Sequence, residues 1–175
     1  MNPCAVCAAS NGSCCQNRQI VLTRKDVERI AVITGNPNFF SFEVPEPDYL
    51  DQDDDPIWNI LTLQSDGRRR ILSRQTNHDC FFLSRNGCRL TLDARPLICR
   101  IHPYMYVSEG LKGIDTECPI ARRSDAAFVL AEIGMPSHQV ETWRHQLYSE
   151  LMMESGHCLR NAIAPMRSGP TLCSP

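Results

Sequence analysis

The sequence CFFLSRNGCRLTLDARPLICR, residues 80–100, carries three cysteines. The Asn-Gly pair at 86–87 is typical of a tight turn, and it presents Cys88 immediately after it. Asp93 is expected to cap a short helix that includes Cys99. The proline between them is compatible with this helix, because proline is tolerated in a first helical turn. The stretch is therefore expected to be a compact segment that brings its cysteine side chains together.

The other cysteines extend this pattern outward in both directions. Eight of the 10 cysteines fall into an early and a late set: Cys4, Cys7, Cys14 and Cys15, then Cys80, Cys88, Cys99 and Cys118. A CxxC turn lets two sulfurs converge on one ion, and four-sulfur sites usually draw ligands from two chain segments. The spacing therefore predicts that the two sets meet at a metal, with all eight as candidate ligands. Burial of some cysteines as apolar core residues stays open as the alternative.

Composition limits the kind of protein that these cysteines serve. A length of 175 residues allows one domain with a hydrophobic core, and the net charge of -2 gives no general attraction to nucleic acid or anionic membrane. No apolar run is long enough to cross a bilayer, and the first residues lack the features of a signal peptide. We therefore expect a cytoplasmic protein, in which clustered thiols bind metal or take part in redox chemistry rather than form disulfides.

Local patterns in the first half of the chain predict a mixture of helices and strands. Thr23 and Asp26 have the spacing of a capping box, and Gly35 is a suitable C-cap, so a helix is expected between them. The proline- and aspartate-rich segment 36–56 is typical of a surface loop. Two runs around the Asp-Gly turn, spanning residues 57–75, predict a β-hairpin. The three arginines inside that hairpin are expected to form a solvated edge.

The second half of the chain predicts two helices, residues 124–133 and 136–153, of which the second has an apolar stripe suited to core packing. That stripe consists of Val140, Trp143, Leu147 and Leu151. The expected fold is α+β: a small irregular cysteine-cluster domain with a β-hairpin and short helices around a metal site, plus C-terminal helices. Its predicted parts are a metal-binding domain at 1–123, a helical extension packed on it at 124–157, and a flexible tail at 158–175.

Three residues near Cys99 are candidates to support the metal rather than to bind it directly. Arg95 and Arg100 flank Cys99, and His102 follows. Four thiolates around Zn²⁺ or a [4Fe–4S] core carry a charge of about -2, which nearby guanidinium and imidazole donors would compensate. The alternative, that the arginines are surface residues, stays open.

Taken in order, the motifs resemble the YkgJ-like cysteine-cluster family, a domain described as zinc- or iron-chelating. They are Cys4-Ala-Val-Cys7, Cys14-Cys15, the helix opening at 22–26, Cys80-Phe-Phe-Leu83, Gly87-Cys88, Arg95-Pro-Leu-Ile-Cys99-Arg100 and Cys118-Pro119. The resemblance covers residues 4–123 and implies a cytoplasmic, mostly bacterial protein with a metal site on these cysteines. His102 stands where the family commonly has an aromatic residue, and Cys158 and Cys173 lie outside the pattern. A flagellin lysine methylase group has a similar cysteine pattern, but this chain lacks a glycine-rich nucleotide-binding loop.

The residues favour an iron–sulfur cluster over zinc, because a proline directly after a ligand, as in Cys118-Pro119, is common beside such clusters. We therefore expect a metal-binding protein whose partner is a metal ion or cluster, with a protein partner left open. No catalytic residues can be assigned, so a redox or protein-modifying enzyme that uses the cluster is the alternative. A zinc-stabilised interaction domain is a second alternative, although the acidic balance disfavours nucleic acid.

Overall fold

The computed structural model describes residues 7, 14–16, 18–50 and 54–156, and within them the α+β class is confirmed. The helices are α1 (Arg24–Thr34), α2 (Pro56–Thr62), α3 (Leu97–Ile101), α4 (Ala126–Glu132) and α5 (Ser137–Glu154). The strands pair antiparallel as β1 (Phe40–Glu43) with β2 (Arg69–Leu72), β3 (Leu83–Ser84) with β4 (Gly87–Cys88), and β5 (Tyr104–Val107) with β6 (Gly110–Ile114). None of the helices in these residues combines the length and apolar content that crossing a membrane requires.

Helix α1 has the start and the end that the sequence predicts. The Thr23 hydroxyl accepts from the Asp26 N–H at 2.9 Å, and the Asp26 carboxylate accepts from the Thr23 N–H at 3.1 Å. Gly35 ends the helix in the left-handed region at φ 65°, where its N–H donates to the Ala31 carbonyl. The capping signals lie within the helix and its flanks, so the sequence alone defines both of its ends.

The hairpin predicted over residues 57–75 is wrong. Pro56 opens the helix α2, in which Trp58 and Leu61 lie three positions apart and are both buried, so the run has a helical rather than a strand period. Strand β2 pairs instead with β1, which lies in the segment that the composition predicts to be a loop, in a register that places Phe40 opposite Leu72. The fold does contain hairpins, β3–β4 and β5–β6.

The predicted solvated edge at the arginine run 68–70 is right only for Arg68, which is exposed and pairs with Asp66 at 2.7 Å. Arg69 is only 1% exposed, and it donates to the Tyr49 carbonyl at 2.8 Å and to the Asn59 side chain. Arg70 pairs with Glu154 of α5 at 2.8 Å. Arg69 therefore ties β2 to α2 and to the segment before it, and Arg70 ties β2 to the C-terminal end of α5.

Two hydrophobic clusters form the core. The first surrounds α5 and includes the predicted stripe, whose members are all buried: Val140, Trp143, Leu147 and Leu151. Helix α5 also packs against α1, α2 and α3, although the predicted domain limits stay a prediction. The second cluster is built around Leu22, Phe39 and Phe82 and contains buried Cys80, with three further cysteines packed against it: Cys15, Cys88 and Cys99. Part of the apolar interior is therefore made of thiols.

The turn between α4 and α5 approaches Leu92 closely, and Gly134 is the residue that permits it. Gly134 has φ 84°, and a β-carbon at this position would lie 3.0 Å from Leu92 Cδ2. We expect Gly134→Ala to lower the free energy of unfolding by about 1–2 kcal/mol, because a side chain is disfavoured in this backbone region. Urea unfolding measures the change. The control is Gly110→Ala, which adds its β-carbon to open space, and equal losses in the two variants would contradict the prediction.

Candidate metal centre

The described cysteines lie at different depths around one region of the fold. Cys80 is buried, with 6% of its surface exposed, whereas Cys14 is exposed. The remaining described cysteines are half-buried: Cys7, Cys15, Cys88, Cys99 and Cys118. Cys4, one of the eight candidate ligands, lies outside the described residues, as do Cys158, Cys173 and the predicted tail. The depth of these thiols suits ligands that are shielded from water on one side.

The early cysteine segment lies directly against the late one. The Cys80 N–H donates to the Cys15 carbonyl at 2.7 Å, and Gln16 forms an antiparallel bridge with Asp79. These contacts join positions more than sixty residues apart in the sequence. The backbone therefore holds Cys15 and Cys80 side by side.

Two of the late thiols lie at the small hairpin β3–β4. Cys88 ends β4 opposite Leu83, after Gly87 with φ 90°, so the predicted Asn-Gly turn and its placement of Cys88 are confirmed. The Phe82 N–H donates to the Cys80 sulfur at 3.4 Å. Backbone N–H groups directed at sulfur favour the thiolate form, which is the form that binds metal.

Helix α3 carries Cys99, and its start is held by a residue far away in the sequence. Asp93 does not cap this helix, because it lies in a 3-10 turn (Leu92–Ala94) and Pro96 occupies the cap position. The Leu97 N–H instead donates to the Asp26 carboxylate at 3.1 Å. Asp26 is fully buried and also pairs with Arg29. One carboxylate thus fixes the starts of α1 and α3 together, and with them the position of Cys99.

Four thiols share the second hydrophobic cluster, and they raise one another's pKa. Burial raises the pKa of Cys99 well above its usual value, and the nearby thiols of Cys80, Cys15 and Cys88 raise it further. Burial likewise raises the pKa of Cys7, followed by the effects of Cys118 and Cys15. This proximity defines a group of four thiols, Cys15, Cys80, Cys88 and Cys99, and a pair, Cys7 and Cys118, that borders the group at Cys15.

Cys15 and Cys80 differ in the pKa that their surroundings give them. A hydrogen bond with the adjacent Cys14 thiol, helped by the positive charge of Arg95, lowers the pKa of Cys15 to about 7 despite its burial. Burial raises the pKa of Cys80 to about 12. The group therefore combines one readily ionised thiol with deeper thiols that a bound cation would have to ionise.

The three charged candidates around Cys99 have different surroundings. Arg95 lies beside the thiols, hydrogen-bonded to Cys88 and near Cys15. Arg100 is buried and donates to the backbone carbonyls of Asp93 and Arg95, so its described hydrogen bonds fix the chain entering α3. His102 lies near Asp115 and Arg18, and burial lowers its pKa. Of the three, Arg95 is the one with contacts to the thiol group.

The donor set fits the metals that prefer sulfur. Thiolates are the preferred ligands of zinc and of iron–sulfur clusters, and here they lie beside a guanidinium that can compensate their charge. Among the described residues, no three Cys, His, Asp or Glu side chains already form a coordination shell. The contacts thus identify neighbouring thiols whose chemistry suits zinc and iron.

A thiol-rich α+β domain with these properties belongs to the class of small metal-chelating domains, and the comparison with known families specifies which one. Residues 3–119 match the family CxxCxxCC, described as "Putative zinc- or iron-chelating domain", and the chain belongs to this family. The resemblance seen in the sequence is therefore confirmed. No curated protein and no solved structure matches the chain.

Asp26 is the positioning residue that the sequence analysis missed. Its pairing with Thr23 is visible in the sequence, but its contact with Leu97 spans 71 positions and has no local signal.

Proposed function

We propose that this protein binds iron or zinc through its clustered cysteines, with Cys15, Cys80, Cys88 and Cys99 as the principal ligands. The observation that supports the proposal is that these four thiols share one hydrophobic cluster, in which the 2.7 Å hydrogen bond from the Cys80 N–H to the Cys15 carbonyl joins the early and late segments. If bound, the metal supplies a cation that stabilises the thiolates, while the chain orders them and shields them from water.

The remaining candidate ligands form a second set in this proposal. Cys7 and Cys118 border the principal group at Cys15, and Cys14 is hydrogen-bonded to Cys15. With Cys4 they would provide four more thiols, enough for a second metal or for a larger cluster. We favour an iron–sulfur cluster over zinc, on the sequence argument from Cys118-Pro119, and a reducing cytoplasm as the compartment that keeps these thiols available.

The same proposal gives each of three segments of the chain a role. Residues 1–123 act as the metal-binding domain and 124–157 as a helical extension that covers it, with 158–175 as a flexible tail. Within this scheme Arg95 compensates thiolate charge, whereas Arg100 supports the chain that leads into α3. Limited proteolysis of the metal-loaded protein, with the fragments mapped by mass spectrometry, tests the division. Cleavage first within 124–157 would contradict it.

Anaerobic purification followed by an absorption spectrum and quantification of iron, zinc and acid-labile sulfide tests the metal. Iron with stoichiometric sulfide and visible absorption supports a cluster, whereas stoichiometric zinc in a colourless protein supports a zinc site. Native protein that contains neither metal when prepared without oxygen would contradict the proposal.

We expect Cys99→Ser to lose most of its metal, because a serine hydroxyl is a far poorer ligand for these metals than a thiolate. Metal per chain, measured by elemental analysis after anaerobic purification, gives the result. The matched control is Cys158→Ser, since Cys158 lies outside the family pattern, and this variant should keep its metal. Full occupancy in Cys99→Ser would remove Cys99 from the ligand set.

A further inference from the structure

An open cavity of about 350 Å³ lies beside Cys88, between the chain after β4 and the turn that joins α4 to α5. One wall is apolar and is formed by Leu92, Ile133 and Met135. The polar residues of the lining are Cys88, Arg89, Thr91 and Arg95. A volume of this size, with one apolar wall and a few converging polar groups, is typical of a site for a small metabolite.

The Arg89 guanidinium is held in place but keeps most of its hydrogen-bonding capacity. It lies 5.7 Å from the ring centroids of both Phe81 and Phe82, and one of its amino groups donates to the Phe81 carbonyl at 2.5 Å. A guanidinium has five N–H donors, so the others remain available to a ligand. Stacking on two rings fixes the group before any ligand arrives, which lowers the entropic cost of binding.

Arg95 is a second arginine in the lining of the same cavity. Its Nε donates to the Leu90 carbonyl at 3.3 Å, and it also contacts the Cys88 thiol. Among the described residues, no carboxylate forms an ion pair with Arg89 or Arg95, and none lines the cavity. Arg89 and Arg95 are therefore the cationic side chains of this lining, in a chain whose net charge is -2.

We propose that this cavity binds a small organic acid with two or three carboxylates. The carboxylates would pair with Arg89 and Arg95, because a guanidinium matches a carboxylate with two parallel hydrogen bonds. The carbon skeleton would lie against Leu92, Ile133 and Met135, a surface that inorganic phosphate would leave uncovered. The proposal rests on the proposed function only in placing the acid next to a metal ligand, Cys88.

Isothermal titration calorimetry of the metal-loaded full chain, with citrate and with tricarballylate as probes, tests this site. Tricarballylate has the same three carboxylates as citrate but lacks the hydroxyl that strengthens metal chelation. We expect both acids to bind saturably at matched ionic strength. In Arg89→Gln the affinity for each acid should fall about tenfold to a hundredfold, because hydrogen bonds between charged groups are lost. The affinity of Arg89→Lys should lie between those of the wild type and Arg89→Gln, since lysine keeps the charge but not the planar group.

The matched control is Arg85→Gln, an exposed arginine in the β3–β4 turn that does not line the cavity, which should bind like the wild type. Equal weakening in Arg89→Gln and Arg85→Gln, or phosphate binding as tightly as tricarballylate, would overturn the proposal as general charge attraction. Heat from citrate alone, accompanied by metal loss, would overturn it as chelation.

Metal analysis of each variant separates this site from the metal centre. Arg89→Gln should keep the wild-type metal content, and a loss of metal would assign Arg89 to the metal centre and overturn a separate acid site. Wild-type protein that lacks metal but still binds tricarballylate would support the acid site while contradicting the proposed function.

Discussion

Replacing Asp26 with alanine is expected to lower the free energy of unfolding by about 3–5 kcal/mol, the cost typical of removing one partner from a buried charged network. The fully buried carboxylate accepts from the N–H groups of Thr23 and Leu97, each at 3.1 Å, and pairs with Arg29. Without it, two buried N–H groups and a guanidinium lose their acceptor. Metal content should fall with stability, because α3 carries Cys99.

Urea unfolding under anaerobic conditions measures this change, with two comparison variants. Asp26→Asn keeps one carbonyl acceptor but no charge, so its loss of stability should lie between that of Asp26→Ala and the wild type. Asp48→Ala removes an exposed carboxylate and should change the free energy of unfolding by less than about 0.5 kcal/mol. Unfolding curves of Asp26→Ala and Asp48→Ala that coincide would show that the buried carboxylate contributes nothing.

Removing the metal from the native protein is expected to cost at least about 4 kcal/mol of unfolding free energy, the amount contributed by a ligand present at about a thousand times its dissociation constant. Cys80 is buried in the second hydrophobic cluster, and Cys15, Cys88 and Cys99 pack against it. Loss of the cation leaves these neighbouring thiols without the charge that stabilises their ionised forms, in the interior of the domain.

Anaerobic unfolding before and after treatment with a strong chelator measures this loss, and adding the metal back should restore the original midpoint. In Cys99→Ser the chelator should have a much smaller effect, because that variant has little metal to lose. A wild-type midpoint that is the same with and without chelator would contradict the prediction.

Helix α1 was predictable because its signals are local. Thr23, Asp26 and Gly35 lie within a few residues of the helix ends that they define. Strand pairing was not predictable in the same way, since β2 pairs with Phe40–Glu43 and the connection between them contains a helix. The apolar run that starts at Ile57 suits either a strand or a helix, and Pro56 together with packing against α5 decides for the helix.

For the candidate site, too, the sequence predicted some features and not others. Thiols from two distant segments were expected to meet, and the spacing of turn residues around Cys88 was sufficient to place that residue. The partners of the charged groups could not be predicted from the sequence. Arg100 donates to backbone carbonyl groups, and Asp26 accepts from Leu97, which comes close to it only in the folded chain. Sequence spacing identifies residue types that suit a metal, whereas their surroundings depend on contacts across the whole domain.

The second hydrophobic cluster has a consequence for how this family can change over evolutionary time. Cys80 fills interior space in the cluster that contains Phe39 and Phe82, as well as supplying sulfur. A descendant that gave up its metal would still have to fill that volume, so Cys80 should be exchanged for alanine or valine rather than for serine. Exchanges at Cys15, Cys88 and Cys99 should accompany it. These thiols would no longer bind metal, and they pack against the same cluster, so the neighbouring positions should repack together. Relatives without metal should thus be recognisable by coordinated apolar substitutions at these four positions.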